Sequence, residues 1–242
     1  MRSCWVLVAA LLACGDGTST PPAGNVTLPV RDVAERYALA VERLSSQRES
    51  FAATLRSSSD DAAVLDRART TLVRALADEL LPAWSGTPWS MQGTAAQPGE
   101  EPIACGYFVS TVLRDAGLDL NRVKFGQAAA LRIQRATTPD GVKVHRFFSI
   151  PPAKLAERIA ALGDGIYLIG LDVHVGFVLV DGEDVWFVHS SYTDDRVVVR
   201  ESLATAKAIA NSQSHGYFVS ELFSTDASVR KWLEHGRYSL PS

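Results

Sequence analysis

The sequence predicts an α+β fold, with helices first and an antiparallel sheet after them. Three observations carry this. Through the first two thirds of the chain, apolar residues recur at helical spacing. From Ile166 onward the pattern changes to short runs rich in β-branched and aromatic residues. Asp181-Gly182-Glu183-Asp184 between two such runs is a hairpin turn signal, which makes those strands antiparallel.

The chain of 242 residues suits one domain of good size with an appended helical segment. A net charge of -3 implies no polyanion, so no nucleic-acid partner is expected. Residues 1–13 read as a secretory signal: Arg2 is the basic start and Trp5 to Ala13 is almost wholly apolar, too short to span a bilayer. Leu11-Leu12-Ala13-Cys14-Gly15 resembles a bacterial lipobox, so Cys14 is expected to be lipidated and to become the first mature residue. That places the protein outside the cytoplasm on a membrane anchor, expected to be the outer membrane facing the periplasm. Residues 14–30, rich in Gly, Ser, Thr and Pro, form a tether. Of the three cysteines, Cys4 leaves with the signal and Cys14 carries lipid. Cys105 remains alone, with no disulfide role.

Residues 31–83 form the helical segment. The first helix runs from about Asp32 to Leu55, with Val33, Tyr37, Ala40, Val41 and Leu44 on one face. Ser57-Ser58-Ser59 breaks it. Asp60 or Asp61 caps a second helix carrying Val64, Leu65, Ala68, Leu72, Leu76 and Leu80, and Pro82 ends it. The pair forms either a cap on the core or a separate hairpin for a partner.

Residues 84–242 form the main domain, organised around Gly86 to Gly117. After Cys105, apolar residues fall at Phe108, Val109, Val112, Leu113 and Ala116, one face of a helix that Gly117 terminates. Cys105 therefore opens a helix, where unpaired N–H groups and the dipole favour negative charge. A thiol there is expected to be drawn toward neutrality and to act as a nucleophile. Further helices are expected over 127–135, 152–162 and 228–235. The predicted strands are Ile166–Leu171, His174–Val180, Val185–His189, Arg196–Arg200 and Tyr217–Phe223, with a helix over 202–211 between the last two. Gly106-Tyr107-Phe108-Val109-Ser110 recurs as Gly216-Tyr217-Phe218-Val219-Ser220; the flanks do not match, and the repeat is read as coincidence.

The hairpin places two histidines. If Val180 pairs with Val185, paired residues sum to 365 and Gly176 lies opposite His189. His174 and His189 then share a face as diagonal neighbours, roughly 7 Å apart at Cα. A thiolate nucleophile needs a base, and the base needs an orienting group. His174 and His189 suit those roles, with Asp172 a rival orienter and Ser190 and Ser191 as possible assistants. His145, His215 and His235 are read as structural. Zinc on Cys105, His174 and His189 is the competing constellation, with no close-spaced ligand pair behind it. Phosphate loops, Rossmann glycines and a Gly-x-Ser-x-Gly elbow are absent from the sequence, and Glu100-Glu101 reads as a solvated loop.

Gly86, Pro88, Trp89 and Gly93, then Cys105, Phe108 and Val109, then His174-Val175-Gly176 and His189, resemble the NlpC-type branch of the papain-like cysteine peptidases. The resemblance covers about Gly86 to Tyr192. It implies a papain-like core with the nucleophile helix on an antiparallel sheet, Cys105 as nucleophile, His174 as base and His189 as orienter. It also implies peptide or peptidoglycan-like substrates and no cofactor or metal. Trp89, Gln92 and Tyr107 are substrate or oxyanion candidates. The chain departs from the family at Ala104 and Gly106, where an Asp and a Ser usually help bind the substrate amino group, and at Trp89, where a Tyr is usual. The expected activity is thiol hydrolysis of an amide or peptide bond in cell-wall peptides. The alternatives are an amidase or acyltransferase of the same superfamily, or a catalytically inactive lipid-anchored protein that binds peptides or wall fragments.

Overall fold

The computed structural model describes residues 30–212 and 216–241, with the side chains of 30–32 left aside. The signal segment, Cys4, Cys14, the tether and His215 lie outside the described residues.

Helix α1 (Val30–Ser57) and helix α2 (Asp61–Arg74) are antiparallel neighbours. Asp60 caps α2 as expected, its side chain accepting from the Ala63 N–H. The second helix does not stop at Pro82. A π-helical segment, Ala75–Leu80, follows α2 and leads into α3 (Leu81–Ala83). Pro82 lacks an N–H and its ring crowds the preceding turn; the wider π turn absorbs both penalties, and the Leu81 N–H reaches back to the Leu76 carbonyl.

Helix α4 (Cys105–Asp115) begins and ends where the periodicity places it. Gly117, at φ +96, takes the left-handed position just past it, and the Leu118 N–H bonds to the Leu113 carbonyl. Strand β1 (Asp119–Leu120) pairs with β8 (Arg237–Tyr238), and both are too short to be read from sequence. Helix α5 (Arg122–Gly126), capped by Asn121, is too short for its period to show in the sequence. The helix expected over 127–135 forms later, as α6 (Ala130–Thr137). Helix α7 (Pro152–Ala160) opens on its proline.

The main sheet has the order β2-β7-β3-β4-β5-β6 and is antiparallel throughout. Its strands are β2 (His145–Phe147), β3 (Gly165–Gly170), β4 (Val175–Asp181), β5 (Asp184–Ser190), β6 (Val198–Ser202) and β7 (Tyr217–Glu221). The helix expected over 202–211 shrinks to α8 (Lys207–Asn211), because Ser202 still belongs to β6. Helix α9 (Asp226–Leu233) starts two residues early, on a capping box between Thr225 and Ser228.

Two cores cover the two sheet faces. Phe177, Leu179 and Val188 join Phe108 and Val112 of α4 and the leucines of α1 and α2 in one cluster. Val178, Val180 and Phe187 pack with Leu155 and Ile159 of α7 and Ile209 of α8 in the other. The N-terminal helices are thus part of the main core. Tyr37 donates to Asp115 at 2.8 Å, the Arg48 guanidinium (Nε) bonds the Trp232 carbonyl at 2.7 Å, and Arg69 (Nε) reaches the Phe223 carbonyl at 3.0 Å.

Candidate active site

The β4–β5 hairpin has the expected register. Val180 pairs with Val185 and Phe177 with Val188, around the two-residue turn Gly182-Glu183 with Gly182 at φ +58. Continued by one pair, this sets Gly176 opposite His189. A Cβ on Gly176 would lie 2.8 Å from the His189 Cβ, so only glycine leaves the imidazole its place. His174 Nε2 and His189 Nδ1 are 2.8 Å apart. Both rings are buried, His174 at 3% exposure and His189 at 0%. Phe187 stacks on His189 at 3.9 Å between centroids.

Cys105 opens α4, which packs against β4 and β5. Ala104 offers α4 no side-chain cap, so the first-turn N–H groups are left for another acceptor. The backbone N–H groups of Cys105, Gly106 and Val175 all bear on the thiol. Val175 is the first residue of β4 and the immediate neighbour of His174, so the sulfur stands at the strand end that carries the histidine. Among the described residues, Cys105 makes no direct hydrogen bond to His174. Such contacts often close only around a bound substrate.

Burial pushes the Cys105 thiol up, while those three N–H groups pull it the other way. Burial also holds His174 well below the ordinary imidazole value, and His189 beside it adds to that shift. His189 is lowered by burial as well, with its bond to Glu201 opposing. The expectation of a thiol drawn toward neutrality is therefore overturned: desolvation outweighs the helix start. Burial therefore favours the neutral form of the thiol and of both imidazoles.

Of the three substrate candidates, Trp89 is linked to the histidine pair through Tyr192. Trp89 is held by its N–H to the Arg196 carbonyl at 2.7 Å, and by the neighbouring bonds of Gly86 and Thr87 to Val198. Its indole faces Tyr192 at 6.4 Å, and Tyr192 meets the edge of His174 at 5.2 Å. Arg196 covers the indole at 4.5 Å. Gln92 is exposed in the turn between Ser90 and Gly93. Gly93 is required there, because a Cβ would strike the Pro102–Ile103 peptide at 2.6 Å. The Tyr107 hydroxyl accepts from Gln127 at 3.3 Å, and Arg122 lies 5.0 Å from its ring centre.

The departure at Gly106 has a steric cause. A Cβ there would lie 2.3 Å from the Gly126 carbonyl oxygen, so the end of α5 fills the space a serine would need. Ser190 is a buried strut, donating to the Ile103 carbonyl at 2.7 Å. Ser191 organises its own turn with Thr193. Asp172 accepts from Ser212 at 2.6 Å. His145 stacks near Phe147, and His235 pairs with Glu49 at 2.8 Å. A metal on the histidines would have to displace the bonds they already make.

One residue of the site escaped the sequence. Glu201 Oε1 lies 2.8 Å from His189 Nε2. The β5–β6 ladder pairs Phe187 with Glu201, so Glu201 and His189 are diagonal neighbours on one face. The only available signal was that ladder, and the seven residues joining its strands left its register open. Comparison with protein-family models, curated proteins and solved structures gave no match.

Proposed function

We propose that the chain is a thiol hydrolase of the NlpC-type, papain-like class that cleaves an amide bond. The observation that supports this best is the convergence at one sheet edge: a helix-opening Cys105 against the Val175 N–H, with the buried His174–His189 pair beginning at the preceding residue. Cys105 attacks the carbonyl while His174 accepts the thiol proton. The uncapped N–H at the helix start receives the developing oxyanion. His174 then protonates the leaving amine, and water resolves the thioester. His189 holds the His174 ring in place.

The substrate reading is narrower than the resemblance alone suggests. Ala104 has no charge, and Gly126 occupies the space beside Gly106. A free amino terminus of the substrate has no carboxylate to meet at these positions. This favours internal amides, as in cross-linked wall peptides, over recognition of an N-terminal amine. An exported, lipid-anchored setting, read from residues 1–14, suits such a substrate.

The test is the rate of Cys105 alkylation by iodoacetamide across pH, in wild type and His174→Ala. Coupling predicts that the variant reacts about tenfold more slowly near neutral pH. The two rates should converge at high pH, where the thiolate forms unaided. Identical profiles would remove His174 as base and leave a lipid-anchored binding protein.

A further inference from the structure

We propose that Glu201 is the positioning residue of this site: its carboxylate fixes the tautomers of both histidines, so that His174 presents a bare Nδ1 to Cys105. The inference rests on the thiol–imidazole reading above, and adds a residue that reading does not contain.

The argument is a count of protons along a chain of two hydrogen bonds. Glu201 Oε1 faces His189 Nε2 at 2.8 Å, and a carboxylate can only accept. His189 must therefore carry its proton on Nε2. A neutral imidazole has one N–H, so His189 Nδ1 is a lone pair. That nitrogen faces His174 Nε2 at 2.8 Å, so His174 must be the donor there. His174 is neutral as well, which leaves its Nδ1 without a proton. The carboxylate thereby sets the base two rings away.

The surroundings favour this order. His174 and His189 are shielded from water, so no solvent molecule competes for the ring nitrogens. Phe187 stacks on His189 and fixes its plane. Glu201 is 26% exposed and lies at the edge strand β6, where its charge keeps contact with solvent. A cleft of about 60 Å³ beside it is lined by Ser191, Asp194, Asp195 and Arg196, and Lys207 of α8 feels its charge. When His174 Nδ1 takes the thiol proton, an N–H bond forms as the S–H bond breaks. Positive charge then appears on His174, whose Nε2–H is still held by His189, while negative charge appears on sulfur.

The test is imidazole 15N spectroscopy of the full-length protein, with wild type compared with Glu201→Gln and Glu201→Leu at pH 7.5. In wild type both histidines should show a protonated Nε2 and a bare Nδ1. Glu201→Gln keeps an acceptor oxygen, so the tautomers should persist, with alkylation of Cys105 slowed several-fold by the lost charge. Glu201→Leu should let the His174 proton redistribute to Nδ1 and slow alkylation by at least about tenfold. A proton on His174 Nδ1 in wild type, or unchanged tautomers in Glu201→Leu, would overturn the proposal. The wild-type spectrum decides even if the leucine variant fails to fold. Tautomers are read without any substrate, so a failure of amide hydrolysis would be a separate result.

Discussion

Single residues carry the strictest constraints in this molecule, and Gly106 is the clearest. Its neighbour is a backbone carbonyl, which cannot rotate aside as a side chain would. Gly106→Ser should therefore cost about 1–3 kcal/mol, as overpacking does. Urea unfolding should show a lower midpoint at unchanged slope. The buried titratable groups make a second residue-scale prediction. His174 and His189 titrate in the folded state below their ordinary 6.5, so as pH falls past that value the unfolded chain takes protons first. Stability should fall with decreasing pH by up to about 1.4 kcal/mol per unit for each histidine. Cys105 is shifted upward from 9.0, so the unfolded thiol ionises first and stability should fall again as pH rises past that point. Urea midpoints across pH should peak between those two values. A curve that stays flat from pH 7 to 5 would mean the imidazoles are not held neutral.

At the scale of elements, legibility tracks how locally each feature is determined. The β4–β5 hairpin was readable because a two-residue turn fixes register, and register fixes which side chains share a face. That is why His174 and His189 could be placed together. Glu201 depends on the β5–β6 register across a long connection, which no turn rule fixes. Helix α4 was readable from its stripe and its terminal glycine, whereas α5, at five residues, has too few turns to show a period. The π-helical segment reflects a conflict between Pro82 and the apolar stripe that propensity alone does not resolve. The repeated pentapeptide shows the limit of local signals. Tyr107–Ser110 is helical inside α4, while Tyr217–Ser220 is a strand inside β7. The same residues obey different partners: Phe108 packs on Phe177 and Trp84, whereas Phe218 lies in a ladder with β2 and β3.

At the scale of the whole molecule, the N-terminal helices decide whether the sheet can stand. Leu44, Leu65, Leu72, Leu76 and Leu80 are each at most 2% exposed, in the same cluster as Trp84, Phe108 and Trp232. Losing a buried side chain of that size costs about 1.5–3 kcal/mol in transfer free energy alone, and a domain of this kind has only about 5–15 kcal/mol in total. Five such side chains together reach that whole margin, before the lost bonds from Tyr37 and Arg48 are counted. A chain of residues 84–242 should therefore fail to fold cooperatively. Leu72→Ala in the full chain should cost about 2–5 kcal/mol. Its effect should appear in one transition, reported alike by Trp fluorescence and by far-UV circular dichroism. A cooperative transition in residues 84–242 would make the helices an appendage. The single transition would make them the wall against which α4 is held, so that a substitution in the first eighty residues reaches Cys105 through packing.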